Sequence, residues 1–146
     1  RQQALYKILI ENVNVVGATC IGINTKALFR ELDFDVVIVD ESGQIQLHNL
    51  IVPLSRANKA ILVGDHKQLP PVVSDEVLEE VEAKDFGDYK DLYRLSWFEH
   101  LWNAAPDDRK IMLDTQFRCP SIISDFVSEA FYEGNYFAGV GMDKKK

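Results

Sequence analysis

Four short apolar runs, mostly β-branched, punctuate the chain: 13–19 (VNVVGAT), 34–40 (FDVVIVD), 59–64 (KAILVG) and 110–114 (KIMLD). No polar residue interrupts 36–39 or 60–63. A strand with one wet face alternates apolar and polar residues. An unbroken run instead predicts a strand covered on both faces, as in a parallel sheet. Between the runs, about 25–32, about 45–56 and about 92–104 read as helices. Strand alternating with helix predicts an α/β fold, a parallel sheet flanked by helices with right-handed crossovers.

The segment 120–133, PSIISDFVSEAFYE, carries the clearest helical pattern. Ile122, Ile123, Phe126, Val127, Ala130 and Phe131 fall on one stripe. Pro120 suits the first turn, where a missing N–H costs nothing, and Gly134 is the expected stop.

Two of the apolar runs end in acids. Val36–Val39 lead into Asp40 and Glu41, with Gln44 close behind; Ala60–Val63 lead into Gly64 and Asp65, with Gln68 beyond. Ligands of open α/β sheets bind at the carboxyl ends of the strands. Adjacent side chains at a strand end point in different directions, so one acid can serve a metal ion while the other faces a water molecule. Phosphoryl transfer to water uses that division of labour. The plainer reading has Asp40 and Glu41 capping the next helix; the second polar strand end tips the balance away from it. Gly64 permits a sharp turn, and Pro70 and Pro71 stiffen the loop that aims Gln68. A lone Gln is most often an ordinary loop amide, but one held in a rigid loop can donate to a phosphate oxygen. His66 has no second His or Cys at ligand spacing and is not read as a metal ligand.

Composition changes the picture in two places. The 146-residue chain has a net charge of −7, which argues against a nucleic-acid partner until its distribution is examined. Six of those negative charges fall in 74–91, SDEVLEEVEAKDFGDYKD, so the remaining surface is nearly neutral. That segment reads as a surface insertion, most simply a solvated helix or loop. Cys20 and Cys119 show no ligand spacing and predict free thiols in a reducing, intracellular compartment. No run reaches the roughly 18 apolar residues of a membrane span. The start at Arg1 and the end in Lys144–Lys146 suggest a piece of a longer protein.

DESGQ, followed about twenty residues later by GDHKQLPP and then by QFRCP, resembles motifs II, III and IV of superfamily-one helicases. The branch that it resembles includes the RNA-surveillance helicase of nonsense-mediated decay and the DNA replication helicase-nuclease. ATCIG at 18–22 is similar to a nucleic-acid-contacting motif of that family, and the resemblance spans about 13–137. It implies a RecA-like P-loop NTPase fold. Residues 1–109 would be the later part of the first RecA-like domain, and 110–146 the start of the second. It also implies ATP and Mg²⁺ as cofactors, single-stranded or partly duplex nucleic acid as partner, no membrane, a monomer, and a cytoplasmic or nuclear location.

The implied roles are individual. Asp40 would hold Mg²⁺ through water, and Glu41 would polarise the attacking water. Gln44 and Gln68 would contact the γ-phosphate or its water network. Gly64, Asp65 and Gln116 would line the nucleotide site. Arg118 would act as an arginine finger from the second domain, against the commoner fate of a surface salt bridge. Thr19 would touch the nucleic-acid backbone. Phe117 and Cys119 stand where the family usually has Tyr and Met. No G-x-x-x-x-G-K-[ST] occurs in the chain. The fold is therefore expected to be partial, without the P-loop strand and helix, and the isolated chain is expected to lack ATPase activity. Two other readings stay open: a receiver-like, Mg²⁺-binding phosphoacceptor module, and a non-catalytic scaffold without a phosphate loop.

Overall fold

Phe34–Val39 form strand β1 and Ala57–Leu62 form β2. The two pair in parallel, Phe34 opposite Ala57 and Val39 opposite Leu62. Parallel neighbours need a crossover. Here it consists of a 3-10 turn at Ser42–Gln44 and a helix at Leu47–Leu54 that contacts both strands. These elements belong to a computed structural model, which describes residues 5, 8–10, 12–25, 29, 32–83 and 96–144. It divides into two compact units, 1–101 and 102–146.

In chain order, the helices of the first unit are α1 (Cys20–Thr25), α2 (Leu47–Leu54) and α3 (Asp75–Ala83); α4 (Trp97–Ala104) begins in it. Phe29, Val39, Leu50 and Phe98 are its buried core side chains among those described, and Pro53 and Pro71 are buried as well. In the second unit, β3 (Thr115–Gln116) and β4 (Phe137–Ala138) also pair in parallel, across the helix α5 (Ser121–Phe131). Each unit thus contains a strand–helix–strand crossover with parallel strands, the α/β pattern expected from the apolar runs.

Several elements differ from the sequence reading. Residues 13–19 form no strand, and Val15 is 86% exposed. Residues 110–114 are not strand either: Ile111 and Leu113 are exposed, and pairing begins only at Thr115. Both runs carry β-branched or apolar residues but find no partner strand among the described residues, and a ladder needs one. Among the described residues, the β1–β2 sheet is covered on one face only, against the expectation of cover on both. Val39 is buried, whereas Val36, Ile38 and Ile61 are between 45% and 66% exposed. A helix is observed at Cys20–Thr25; of the helix expected at about 25–32, residues 26–28, 30 and 31 lie outside those described. Of the helix expected at 92–104, Trp97–Ala104 is observed and 92–95 lie outside the described residues. Within the acidic stretch, Asp75–Ala83 is helical; 84–91 lie outside the described residues.

The expected helix near 120–133 is present at Ser121–Phe131. Pro120 sits just outside it as the N-cap, with ψ 152°. The chain leaves the helix through two left-handed residues, Glu133 (φ 55°) and Gly134 (φ 81°), and the Gly134 N–H returns to Ser128 O at 3.1 Å. No helix among the described residues is long and apolar enough to cross a membrane.

Candidate functional site

The register of β1 and β2 brings DESGQ and GDHKQ together. Past the paired residues Val39 and Leu62, Val63 N–H donates to Val39 O at 2.8 Å. The chain after β1 then folds back. Ser42 donates to Val63 O twice, from its N–H at 2.9 Å and from Oγ at 2.8 Å. Ser42 is fully buried. A serine rather than a bulkier residue fits there because it both fills the space and supplies the hydroxyl.

This fold-back needs two glycines. A Cβ on Gly43 would lie 2.9 Å from Asp65 O, and one on Gly64 would lie 2.8 Å from the Gly43 nitrogen. Both clashes are with backbone, which cannot swing aside as a side chain can. Phe98, from α4, closes the far side of Gly64 at 3.4 Å from such a Cβ.

Between Asp40 and Ser42, Glu41 takes a left-handed conformation, φ 52° and ψ 32°. A non-glycine residue there is uncommon and costs of order 1–3 kcal/mol unless its surroundings hold it. Asp40 helps to hold it, since Oδ1 accepts the Glu41 N–H at 3.0 Å. Glu41 occupies the N-cap position of the 3-10 turn, yet its side chain makes no capping bond. The capping explanation for this acid therefore fails. Glu41 is exposed, and its carboxylate is spent on no cap.

The second strand end is organised around Asp65. Its Oδ1 accepts the Lys67 N–H at 3.0 Å and its Oδ2 accepts from Gln68 Nε2 at 2.9 Å. Gln68 Oε1 in turn accepts from Gln44 Nε2 at 3.4 Å. Gln44, Gln68 and Asp65 thus form one hydrogen-bonded row across the two strand ends. Gln46 ties the same loop down further along, donating from Nε2 to Val72 O at 2.6 Å. Sequence reading passed over Gln46 and Ser42; the periodicity of the segment carries no signal for either.

No group of three or more His, Cys, Asp or Glu among the described residues forms a metal cage. A single carboxylate suits Mg²⁺ held chiefly by water and phosphate oxygens. Asp40 fits that role, with Oδ1 on the neighbouring N–H and no donor among the described residues on Oδ2.

Thr19 lies at the start of α1. Its Oγ accepts the Gly22 N–H at 3.0 Å, the geometry of an N-cap. In the second unit, Gln116 is buried and Arg118 exposed. Gln116 Oε1 accepts the N–H groups of Arg118 at 2.7 Å and Cys119 at 2.9 Å, and its Nε2 donates to Cys119 O at 2.9 Å. Its carboxamide, expected to line the nucleotide site, is committed to its own loop.

A family model described as an AAA domain matches residues 1–76. A DNA replication ATP-dependent helicase/nuclease of Arabidopsis thaliana is 38% identical over 114 residues, 78% of this chain and 8% of that protein. A 5'-3' DNA helicase of Mus musculus is 34% identical over 138 residues, 92% of this chain and 7% of its own length. An ATP-dependent helicase of Saccharomyces cerevisiae is 33% identical over 138 residues, 94% of this chain and 13% of its own. The chain spans about a tenth of the length of these curated relatives.

Proposed function

This chain belongs to the AAA-domain family, in the superfamily-one helicase branch that includes the nonsense-mediated-decay helicase and the DNA replication helicase-nuclease, and on that premise we propose that it is the motif II–IV portion of an ATP-dependent helicase. The whole protein couples ATP hydrolysis to translocation on single-stranded nucleic acid, as an intracellular monomer. Residues 1–109 belong to its first RecA-like domain, with 74–91 as an insertion, and 110–146 open the second.

The observation that carries this reading is the hydrogen-bonded row Gln44–Gln68–Asp65 beside Asp40 and Glu41. Hydrolysis of a phosphoanhydride needs a carboxylate toward the attacking water and neutral donors toward the γ-phosphate. Glu41, exposed and engaged in no capping bond, supplies the first. Gln44 and Gln68 supply the second, their amides oriented by Asp65. Asp40 is the residue that would hold Mg²⁺ through water, and a bound Mg²⁺ neutralises charge on the phosphates. Arg118 offers a guanidinium to the transferred phosphoryl group, and Thr19 meets the nucleic-acid backbone.

The isolated chain contains no phosphate-cradling loop motif, and it hydrolyses no ATP alone. The test uses the full reading frame that encodes it. Nucleic-acid-stimulated hydrolysis should fall by about a hundredfold or more in Glu41→Gln, the size of a lost general base. Unchanged hydrolysis would remove Glu41 from the chemistry.

A further inference from the structure

The loop that presents Arg118 is fixed from both sides. On one side the Phe117 ring lies over Gly139, where any Cβ would fall inside it. On the other, the N–H groups of Arg118 and Cys119 converge on a single oxygen of Gln116, at 2.7 and 2.9 Å, while Gln116 Nε2 holds Cys119 O at 2.9 Å. Pro120 follows at once and keeps Cys119 out of helical geometry. Gln116 itself is 7% exposed, so these bonds form away from competing water.

We propose that Gln116 is a positioning residue: its buried carboxamide fixes the backbone of Arg118 and so the direction in which the exposed guanidinium leaves the loop. This rests on the reading of Arg118 as the residue that stabilises the transferred phosphoryl group. A guanidinium aimed in advance loses less entropy when it meets its target, and a displacement of about 1 Å can cost on the order of a hundredfold in rate.

The experiment is a double-mutant cycle on ATP hydrolysis by the full-length protein with single-stranded DNA present. Gln116→Met keeps the volume and removes all three bonds; Gln116→Glu keeps the accepting oxygen and loses the donor. With Arg118 present, Gln116→Met should lower kcat and kcat/KM together by at least about tenfold, the signature of an interaction made in the transition state. Gln116→Glu should lose less. In an Arg118→Ala background, Gln116→Met should change kcat by less than about twofold, because nothing is left to aim. Penalties that multiply in the double variant overturn the proposal, as does a Gln116→Met protein with normal kcat. An Arg118→Ala protein with normal kcat overturns the reading of Arg118 itself, and that failure is visible in the single variant.

Discussion

Gly43 and Gly64 meet backbone to backbone: a Cβ on Gly64 would come within 2.8 Å of both the Gly43 nitrogen and Ser42 Oγ. The two strand ends can approach this closely only because neither residue carries a side chain. Overpacking a well-filled site typically costs about 1–3 kcal/mol. Gly64→Ala should therefore lower the unfolding free energy of this chain by that amount, read as a lower urea midpoint with the slope of the transition unchanged. A midpoint equal to that of the unsubstituted chain would show that the contact has slack.

Ser42→Ala should be milder. It removes the bond from Oγ to Val63 O, yet that carbonyl keeps the Ser42 N–H at 2.9 Å. No buried acceptor is orphaned, so the loss is that of one net hydrogen bond, about 0.5–1.5 kcal/mol. Denaturant titration of Ser42→Ala beside Gly64→Ala checks the ranking; a larger loss for Ser42→Ala contradicts it.

Glu41 sets stability against activity. Its φ of 52° is comfortable only for glycine among common residues. Glu41→Gly relieves that strain while freeing the unfolded chain, two terms of about 1 kcal/mol that oppose each other. The melting temperature should stay level or rise, while hydrolysis by the full-length protein falls as steeply as in Glu41→Gln. A marked drop in melting temperature would mean that the Glu41 side chain braces the fold.

Thr19 separates a cap from a contact. Thr19→Ala should cost the chain about 0.5–2 kcal/mol through the lost bond to the Gly22 N–H. Thr19→Asp restores a capping oxygen but adds a negative charge toward the proposed nucleic-acid backbone. In the full-length protein its melting temperature should match the unsubstituted one, while affinity for a single-stranded oligonucleotide, read by fluorescence anisotropy, falls. Equal affinity would leave Thr19 as a cap alone.

The paired acids were legible because a buried strand is written in consecutive β-branched residues and its end in the first polar ones. Val36–Val39 and Ala60–Val63 therefore located the parallel pair to within three residues. The runs at 13–19 and 110–114 use the same letters but lack a neighbour, and pairing is a property of two segments, not one. Coverage of the sheet failed for a related reason: a run records what each side can bury, and the exposed Val36, Ile38 and Ile61 have no covering element among the described residues. At the site, residue types pointed to Asp40, Glu41 and Gln68. The left-handed backbone of Glu41 and the inward turn of Gln116 were invisible, because both arise from hydrogen bonds that no spacing rule encodes.

The register that sets Val39 opposite Leu62 has a consequence for the lengths that this chain can tolerate. Deleting or inserting one residue in either strand would shift Asp40 against Gly64 by a step and turn every following side chain of that strand to the opposite face. Between Val36 and Gly64 the spacing behaves as a ruler whose ticks are single residues.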